Sequence, residues 1–534
     1  MSYRVLVTDE IDAEGVAVLT AEPALQVDVV PTLPVPELLQ RVPDYDALIG
    51  RSATRISPEL LRAGKRLRVI GRAGVGVDNV AMDVATELGI AVINAPAGNT
   101  VAVAELFFGV MLGLLRHIPR AATSMREGRW DRSALLGTEL RGKALGIVGV
   151  GRIGSEIAVR AHAFGMTLLG YDPYVDDERF TALRVRREDT LDALLAESDI
   201  VTIHTPLTEE TTGLIGRREL ARMTPGAYLA NLARGGIVDD GALAQALESG
   251  HLRGAALDVY AVEPLPADHP IRSAPNVLLT PHLGASTVEG QRNVAVDACV
   301  GVRDALIRGD VSRSINVAAV SGAEWGELQG AMLIARRSAA LARAVLAAQG
   351  LRAIRRVTLR CGPSLVGGSA ALLSAAALGL LEGVVESERL NMINARALAE
   401  QRGIELAVLE TSQLESAYGL EVALAGGMQE LAVGGVATPG ATPRVTRIGS
   451  FHVDVAPRKT LIVLTNNDVP GVIGRVGTLL GDAGVNIAEW HQARLAQGGE
   501  ALAAISVDSI VPPEVCKALL EVPDVLSATV VNFR

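Results

Sequence analysis

The sequence predicts an α/β protein of several domains, in which parallel sheets are covered by helices. Three observations support this fold class. The chain has 534 residues, enough for three or four domains. Short β-rich segments alternate with helical patterns along its first half, which is typical of parallel sheets joined by crossover helices. The last 75 or so residues follow a βαββαβ order, which predicts a separate ferredoxin-like domain.

The first series of alternating elements occupies about the first 95 residues. Its β-rich segments are 4–7, 47–49, 68–70 and 91–93, and a helical pattern fills 58–64. A long apolar helix is predicted over 101–115.

A second series follows, with six predicted strands at 144–148, 167–171, 200–203, 227–231, 254–257 and 277–280. Six strands with helices between them indicate a doubly wound, Rossmann-type nucleotide-binding domain. The next helix is predicted to begin at Ser286-Thr287-Val288-Glu289, which has the capping-box pattern.

The pattern changes after about residue 317. Residues 322–405 carry Ala-rich helical segments, and 420–455 are β-rich with a Gly/Pro hinge at 434–443. The C-terminal βαββαβ unit is predicted from strands at 461–464, 486–494, 501–507 and 527–532 and helices at 472–483 and 513–520.

Composition limits the classes of partner. There are 50 Lys and Arg against 60 Asp and Glu, a formal charge of −10 that argues against nucleic acid or an anionic membrane surface. The three cysteines, Cys299, Cys361 and Cys516, are too far apart in sequence to indicate a disulfide framework or a zinc site, so no metal is expected. The N-terminal segment has no signal-peptide pattern, so we expect a cytoplasmic protein.

One apolar stretch requires separate treatment. Residues 361–381 contain no charged side chain, but several glycines, serines and a proline weaken their hydrophobicity. We therefore expect a buried core helix rather than a transmembrane span.

The glycine-rich turn Gly149-Val150-Gly151-Arg152-Ile153-Gly154 lies between a predicted strand and a predicted helix. By itself the GxGxxG pattern is weak evidence of a dinucleotide site, since any glycine-rich turn can match it. In this context the three glycines permit a tight turn, close approach of the backbone to a pyrophosphate, and close packing of helix on strand. Arg152 and Ile153 begin the helix, whose N-terminus would present free N–H groups to the anion.

Asp172 follows the next predicted strand, 18 residues after Gly154. A carboxylate at this place accepts hydrogen bonds from the adenosine ribose and repels a 2′-phosphate, so NAD is predicted over NADP. The alternative is a surface turn residue before Pro173.

Three further segments follow predicted strand ends: 231–239, 258–264 and 280–287. They contribute Arg234, Glu263 and His282. Oxidation of a hydroxy acid requires a base for the hydroxyl proton, a carboxylate that holds the base in one tautomer, and a guanidinium for the substrate carboxylate. Each residue alone has an ordinary surface interpretation, but the set predicts a dehydrogenase.

Taken in order, these motifs resemble the D-2-hydroxyacid dehydrogenase family, and within it the long bacterial members that oxidise 3-phospho-D-glycerate. The likeness covers residues 1–316 almost continuously. It implies that His282 is the acid–base group, that Glu263 is its partner, and that Arg234 holds the substrate carboxylate and carbonyl. His204 is the competing candidate base, although the family pattern makes it structural. Leu232 replaces a usual Cys or Thr, and Asp240 a usual Glu.

The same resemblance implies the remaining contacts of the catalytic part. NAD would also contact Thr205, Pro206, Leu232, Ala233, Asp258, Gly284 and Ala285, in addition to Arg234 and His282. The substrate would contact Arg51, Ser52, Gly74, Val75, Asn99 and Arg132. Backbone amides at Gly74 and Val75 would hold the carboxylate, Arg51 would reach the phosphate, and Arg132 would serve the neighbouring subunit across a dimer interface. Both arginines have an alternative as ordinary surface charges.

The C-terminal unit, with Asn466-Asn467-Asp468-Val469-Pro470-Gly471 and Gly484-Val485-Asn486-Ile487, resembles an ACT domain. In the family such a domain binds L-serine between paired domains, which implies an effector site at Asn466, Asp468 and Asn486. Val469 and Asn466 depart from the usual residues, so a dimerisation domain without an effector is the alternative. Arg444, Arg447 and His452 are candidates for an anion site, or are solvated.

The resemblance also implies the domain organisation. A flavodoxin-like substrate domain (1–98 and 283–316) is interrupted by the NAD domain (99–282), and an α+β intervening domain (317–455) and the ACT domain (456–534) follow. The implied activity is NAD-dependent oxidation of 3-phospho-D-glycerate by a homotetramer that L-serine inhibits. Another D-2-hydroxyacid dehydrogenase, such as a glyoxylate or hydroxypyruvate reductase, is the first alternative, and a non-enzymatic NAD-binding sensor is the second.

Overall fold

A computed structural model describes residues 2–317, 322–384, 389–410, 414 and 416–533. The first sheet is parallel and has the strand order β2-β1-β3-β4-β5, the flavodoxin-like order. Its elements are β1 (Tyr3–Val7), α1 (Ala13–Thr20), β2 (Leu25–Val29), α2 (Val35–Arg41), β3 (Ala47–Gly50), α3 (Pro58–Ala63), β4 (Val69–Arg72), α4 (Met82–Glu87) and β5 (Ala91–Ile93). β2 is additional to the four predicted strands.

The second sheet is also parallel and has seven strands in the order β12-β11-β10-β9-β6-β7-β8. The region comprises α5 (Thr100–Leu115), α6 (Ile118–Arg126), β6 (Ala144–Val148), α7 (Arg152–Ala163), β7 (Thr167–Tyr171), α8 (Asp177–Leu183), β8 (Arg186–Arg187), α9 (Leu191–Glu197), β9 (Ile200–Ile203), α10 (Arg217–Arg222), β10 (Tyr228–Asn231), α11 (Asp240–Glu248), β11 (Gly254–Leu257) and β12 (Val277–Leu279). The strand order reverses between β6 and β9, so the predicted doubly wound fold is confirmed. The predicted number of six strands was wrong, because the two-residue edge strand β8 was not predicted.

After β12 the chain returns to the first sheet through α12 (Val288–Arg308). Close packing requires glycine here, since a Cβ on Gly15 of α1 would lie 2.8 Å from the Ala295 backbone. Ile315 then donates its N–H to the carbonyl of Val92 in β5. The helix cap differs from the prediction: the cap is Thr287, whose hydroxyl accepts from Gly290 N at 2.9 Å, so a capping box that begins at Ser286 was wrong by one residue.

The third region forms a six-stranded mixed sheet of order β14-β13-β15-β16-β17-β18. Its elements are α13 (Gly322–Ala348), β13 (Arg356–Cys361), α14 (Ser369–Leu381), α15 (Ala395–Gln401), β14 (Glu405–Glu410), β15 (Gly419–Gly426), β16 (Gln429–Val436), β17 (Arg444–Ile448) and β18 (Phe451–Val455). The Ala-rich helical segments expected in 322–405 are α13, α14 and α15, and β13 lies among them as a strand that was not predicted. The expected hinge is also shorter, since residues 434–436 belong to β16.

Residues Pro363–Leu381, which include α14, are long and apolar enough to cross a membrane by length and composition. The bent pair α5 and α6 also passes that test when it is counted as one span. However, 72% of the most apolar window of Pro363–Leu381 is buried inside the protein. α14 packs against α13 and the mixed sheet, as expected for a core helix.

The last region has the antiparallel strand order β20-β21-β19-β22 with two helices on one face. Its elements are β19 (Thr460–Asn467), α16 (Val472–Asp482), β20 (Ile487–Arg494), β21 (Glu500–Val507), α17 (Pro513–Glu521) and β22 (Val525–Asn532). This is the predicted ferredoxin-like βαββαβ fold. Glu489 of β20 joins it to the third region, because its carboxylate accepts from Arg444 Nη2 of β17 at 2.9 Å. The same carboxylate accepts from Ala456 N, directly after β18, at 2.9 Å.

Candidate active site

The glycine-rich turn lies at the switch point of the seven-stranded sheet, between β6 and α7. Gly149 has φ +92°, and a Cβ there would lie 2.7 Å from the carbonyl oxygen of His204. A Cβ on Gly154 would lie 2.2 Å from Gly149 O, so this glycine lets the helix pack on the turn. No atom of the described residues lies within 4 Å of a Cβ built on Gly151, which leaves open space in front of the helix N-terminus. Arg152 is exposed and Ile153 half-buried at the start of α7.

Asp172 lies directly beside this turn. Its Oδ2 accepts from Val150 N at 2.9 Å, and its Oδ1 accepts from Tyr174 N at 3.0 Å. Across the turn, the buried hydroxyl oxygen of Thr205 has no hydrogen-bond partner within the described residues. Pro206 is exposed at the same edge. The turn, the fixed carboxylate and the unsatisfied hydroxyl therefore fit a dinucleotide that lies across the carboxyl ends of β6, β7 and β9.

His282 and Glu263 meet at the carboxyl ends of β11 and β12. The distance from His282 Nδ1 to Glu263 Oε2 is 2.8 Å, and Glu263 Oε1 accepts from Tyr260 N at 3.0 Å. With Nδ1–H donating to the carboxylate, Nε2 is the ring nitrogen that is free to exchange a proton. The side chain of His282 is 49% exposed, so it is accessible from the cleft.

Asp258 secures the loop that carries His282. Its side chain is only 1% exposed, and it accepts from Leu283 N at 2.7 Å, Gly284 N at 2.8 Å and the Thr280 hydroxyl at 2.5 Å. These bonds occupy most of the carboxylate, so the structure shows Asp258 as a support of the loop. Ala285 follows this loop and is half-buried.

His204 is placed differently from His282. Its Nε2 lies 2.8 Å from the Thr202 hydroxyl, and its ring contacts Phe107 edge-on. Burial lowers the pKa of His204 to about 3, so the ring is neutral at physiological pH. The geometry favours His282 as the acid–base group.

Arg234 follows β10 and crosses to the first sheet. Its Nε lies 3.1 Å from Asp78 Oδ2, and its Nη1 donates to Ala233 O at 2.7 Å. A Cβ on Gly76 would lie 2.2 Å from Arg234 Nη2, so the guanidinium lies over the turn after β4. Leu232 and Ala233, which precede Arg234 in the chain, are buried.

Arg72 is a further candidate site residue, which belongs to the segment 72–79 that resembles a substrate loop but was given no role of its own from the sequence. It is the last residue of β4, and burial together with the neighbouring Arg234 and Arg51 lowers its pKa to about 10. Its buried Nε has no acceptor among the described residues. The only available signal was its position at a strand end beside Gly74. Arg51, Arg72 and Arg234 thus form a cationic cluster that Asp78 and Asp9 only partly neutralise.

The other predicted substrate residues differ in what they offer. The N–H of Gly74 donates to Arg72 O at 2.8 Å, so it is not free, whereas the N–H of Val75 has no acceptor within the described chain. The Oδ1 atom of Asn99 is buried and has no hydrogen-bond partner among the described residues. Ser52 is exposed beside Arg51. Arg132 is exposed at the start of a short 3-10 helix, Arg132–Leu135.

The predicted effector residues do not come together within one chain. Asn466 accepts from Gln492 Nε2, and Asp468 pairs with Arg494 at 3.2 Å and accepts from Gly498 N at 3.1 Å. The Gly498 N–H and the Arg494 guanidinium lower the pKa of Asp468. Asn486 instead donates to Asp508 at 3.1 Å. The strand register places Asn486 and Asp468 at opposite ends of the sheet, roughly 20 Å apart.

The basic residues of the mixed sheet have carboxylate or strand partners. Arg444 contacts Asp454 and Glu489, and Arg447 Nη1 lies 3.1 Å from Glu421. His452 is paired in register with Arg447 on the neighbouring strand. These contacts neutralise both arginines and argue against an anion site formed by the three residues.

Comparison with known proteins identifies the family. The model of the D-isomer specific 2-hydroxyacid dehydrogenase NAD-binding domain matches residues 108–284, from α5 to the loop that follows His282. The fold and the site therefore define a NAD-binding dehydrogenase of the D-2-hydroxyacid class. Over 99% of its length the chain is 38% identical to the D-3-phosphoglycerate dehydrogenases of Synechocystis and Bacillus subtilis, covering 95% and 100% of those proteins. The chain belongs to the D-3-phosphoglycerate dehydrogenase family.

Solved structures match the catalytic part. A protein from Thermus thermophilus is 39% identical with a TM-score of 0.52, over 57% of this chain and 96% of that one. The D-lactate dehydrogenase of Aquifex aeolicus, complexed with NAD and lactic acid, is 28% identical with a TM-score of 0.51, over 58% and 97%. The resemblance derived from the motifs is confirmed.

Proposed function

We propose that this chain oxidises 3-phospho-D-glycerate to 3-phosphohydroxypyruvate with NAD, the entry to serine synthesis by the phosphorylated route. The observation that carries the proposal is the His282–Glu263 pair at 2.8 Å, which lies at the carboxyl ends of β11 and β12, next to β10, the strand that Arg234 of the cationic cluster follows. The 38% identity to D-3-phosphoglycerate dehydrogenases over 99% of this chain supports the choice of substrate.

The residues present fit NAD. Gly149, Gly151 and Gly154 would receive the pyrophosphate at the N-terminus of α7, and Asp172 would accept from the adenosine ribose. Thr205 and Asn99, with buried oxygens that lack partners in the described chain, are suited to polar contacts with a ligand. When bound, NAD accepts the hydride from C2 of the hydroxy acid.

His282 performs the proton transfer in this proposal. Its Nε2 accepts the proton of the C2 hydroxyl during oxidation and returns it to the carbonyl oxygen during reduction. Glu263 fixes the tautomer through Nδ1 and stabilises the imidazolium that forms. Asp258 keeps the loop in place by bonds to Leu283 and Gly284.

The substrate anion is held by the first sheet and Arg234. Arg234 binds the carboxylate, in exchange for its contact with Asp78, and the N–H of Val75 is the available backbone donor. Arg51 and Arg72 bind the phosphate, whose charge offsets their mutual repulsion. Gly74 supports the turn but donates elsewhere, and Ser52 lies at the rim.

Assembly and regulation complete the proposal. We assign 1–98 with 283–316 to the substrate domain, 99–282 to the NAD domain, 317–455 to the intervening domain and 456–534 to the ACT domain. Trp130, 79% exposed, and Leu136 flank Arg132 and provide apolar area for a contact between subunits. We propose a cytoplasmic homotetramer in which L-serine binds Asp468 and Asn466 of one chain and Asn486 of another.

The test is steady-state NADH formation with phosphorylated and unphosphorylated hydroxy acids, and NADH consumption with the corresponding keto acids. The expected preference is for 3-phosphoglycerate and 3-phosphohydroxypyruvate. Equal turnover of unphosphorylated hydroxypyruvate or glyoxylate would contradict the substrate assignment and favour the reductase alternative. No turnover of any member of the panel would favour a sensor.

A further inference from the structure

Asp9 adopts an unusual backbone conformation at the carboxyl end of β1. It has φ +66°, and the next residue, Glu10, has φ +47°. Two successive non-glycine residues in the left-handed region are strained, and such strain persists only where the surroundings stabilise it. Asp9 is also 5% exposed, a buried carboxylate that the proposed chemistry does not use.

Both oxygens of the Asp9 carboxylate are fully engaged, and most of their partners belong to one loop. Oδ2 accepts from Arg51 N at 2.7 Å and from Thr54 N at 2.9 Å. Oδ1 accepts from the Thr54 hydroxyl at 2.6 Å and from the Thr32 hydroxyl at 2.8 Å. Four donors fill the four acceptor positions of the carboxylate. Three of the four fix residues 51–54, the segment that follows β3.

The opposite side of this loop is also held. Asn79 Nδ2 donates to Arg51 O at 3.0 Å and to Thr54 O at 2.7 Å. The side chain of Arg51 has no hydrogen-bond or ion-pair partner in the described part of the chain, although its charge acts on Arg72. The backbone of Arg51 is therefore fixed while its guanidinium stays free.

We propose that Asp9 is a positioning residue that fixes the backbone of Arg51 so that its guanidinium meets the substrate phosphate. This inference rests on the proposed function. Because Arg51 has a long flexible side chain, the orientation of its Cα–Cβ bond decides whether the guanidinium reaches the phosphate at low entropic cost. Asp9 acts from behind the loop and has no contact with the reacting atoms.

The central experiment compares Asp9→Ala with Asp9→Asn. In Asp9→Ala the KM for 3-phosphoglycerate is expected to rise by ~10- to 100-fold, the scale for misplacing a binding group by about 1 Å, with kcat little changed. In Asp9→Asn the KM for 3-phosphoglycerate should stay close to the wild-type value. Its carbonyl can accept from both N–H groups, its amide can donate to both threonine hydroxyls, and Asn tolerates positive φ.

Asp46→Ala is the matched control. Asp46 is also a buried carboxylate of this sheet, but it precedes β3 at the opposite edge, where it accepts from Arg4 N and Arg66 Nη2, each at 2.9 Å. Its loss should lower stability without raising KM. If Asp46→Ala raises KM as much as Asp9→Ala does, the effect is general destabilisation and the proposal is wrong.

The double variant separates this inference from the proposed function. In an Arg51→Ala background, Asp9→Ala should have no further effect on KM, and independent effects that multiply would overturn the positioning role. If Arg51→Ala alone leaves KM unchanged, the phosphate assignment of Arg51 fails instead.

Amide hydrogen exchange tests the loop without substrate. Exchange at Arg51 and Thr54 should accelerate in Asp9→Ala and remain slow in Asp9→Asn. If Asp9→Ala does not fold, Thr54→Val removes one bond to Asp9 and keeps the volume. Faster exchange with a smaller rise in KM is then expected, and unchanged exchange would contradict the inference.

Discussion

The active-site cleft and the C-terminal domain place their predicted residues in opposite ways. Arg234, Glu263 and His282 follow three adjacent strands, β10, β11 and β12, and so lie at one edge of one sheet. Asp468 and Asn486 belong to a single sheet as well, but they lie at its two ends. Parallel strands bring all their carboxyl ends to one edge, so residues that follow such strands meet there. β19 and β20 also run in the same direction, since both are antiparallel to β21, but Asp468 follows β19 whereas Asn486 precedes β20, so these two residues lie at opposite edges. The cleft can therefore be assembled within one chain, and an effector site that uses both residues requires two chains.

The largest expected effect is the loss of kcat when the acid–base residue of the cleft is replaced. His282→Gln should lower kcat by at least ~100-fold, the lower end for lost acid–base catalysis, with little change in NAD affinity. The measurement is steady-state NADH formation with 3-phosphoglycerate.

His251→Gln is the control for this change, since His251 bonds to Leu220 O away from the cleft. It should retain normal kcat. Near-normal turnover of His282→Gln would point to His204 in spite of its lowered pKa.

The next effect concerns substrate discrimination by the cationic cluster. Arg51→Ala should raise the KM for 3-phosphoglycerate by ~10- to 100-fold, as expected for the loss of a charged hydrogen bond. The KM for unphosphorylated glycerate should stay the same, because only the phosphate contact is lost. Arg62→Ala, an exposed arginine on α3, is the control and should affect neither substrate. An equal rise in KM for both substrates would mean that Arg51 supports the site in general and does not bind the phosphate.

A smaller effect decides whether the cleft is complete in one chain. Arg132→Ala should raise the KM for 3-phosphoglycerate by about 5- to 10-fold, as for one exposed charged contact. Mixed oligomers of Arg132→Ala and His282→Gln subunits should regain normal KM, because a subunit with intact His282 receives Arg132 from its partner. Arg129→Ala is the control, since Arg129 contacts Glu127 and Asp131. If the KM of the mixed oligomers stays raised, Arg132 acts in its own subunit or has no role in the site.

The smallest effect tests the divided effector site. Asp468→Ala and Asn486→Ala should each abolish inhibition by L-serine. Oligomers that mix the two variants should recover about half of it, because each mixed pair rebuilds one intact site and one doubly altered site. Thr478→Ala, on the surface of α16, is the control. A wild type that does not respond to L-serine would reduce this domain to an assembly element.

Sequence patterns predicted the buried strands best. β6, β7, β9 and β11 begin and end as predicted, because a strand covered on both faces is a short apolar segment bounded by turn residues. The missed strands β2 and β8 are sheet edges, where partial exposure weakens the pattern. β13 was assigned to a helical region, although Arg356–Cys361 alternates buried and half-buried residues along most of its length.

The candidate site divides in the same way. Gly149, Asp172, Glu263 and His282 follow strand ends, so a local motif reveals each of them. Asp9 has no such motif, because most of its partners lie 42 to 45 residues away. The N–H of Gly74 is engaged by its own turn, and no sequence pattern indicates the acceptor of a backbone amide.

The repulsion among Arg51, Arg72 and Arg234 has a practical consequence for the choice of buffer. Burial and the neighbouring Arg234 and Arg51 lower the pKa of Arg72 to about 10, and a cluster of this kind should attract small dianions such as inorganic phosphate and sulfate. Such ions should compete with the substrate, so the KM measured in phosphate buffer should be too high, and it should rise further with the phosphate concentration. The same ions should protect the enzyme against heat as their concentration rises. Storage and assay of this protein therefore call for different salts.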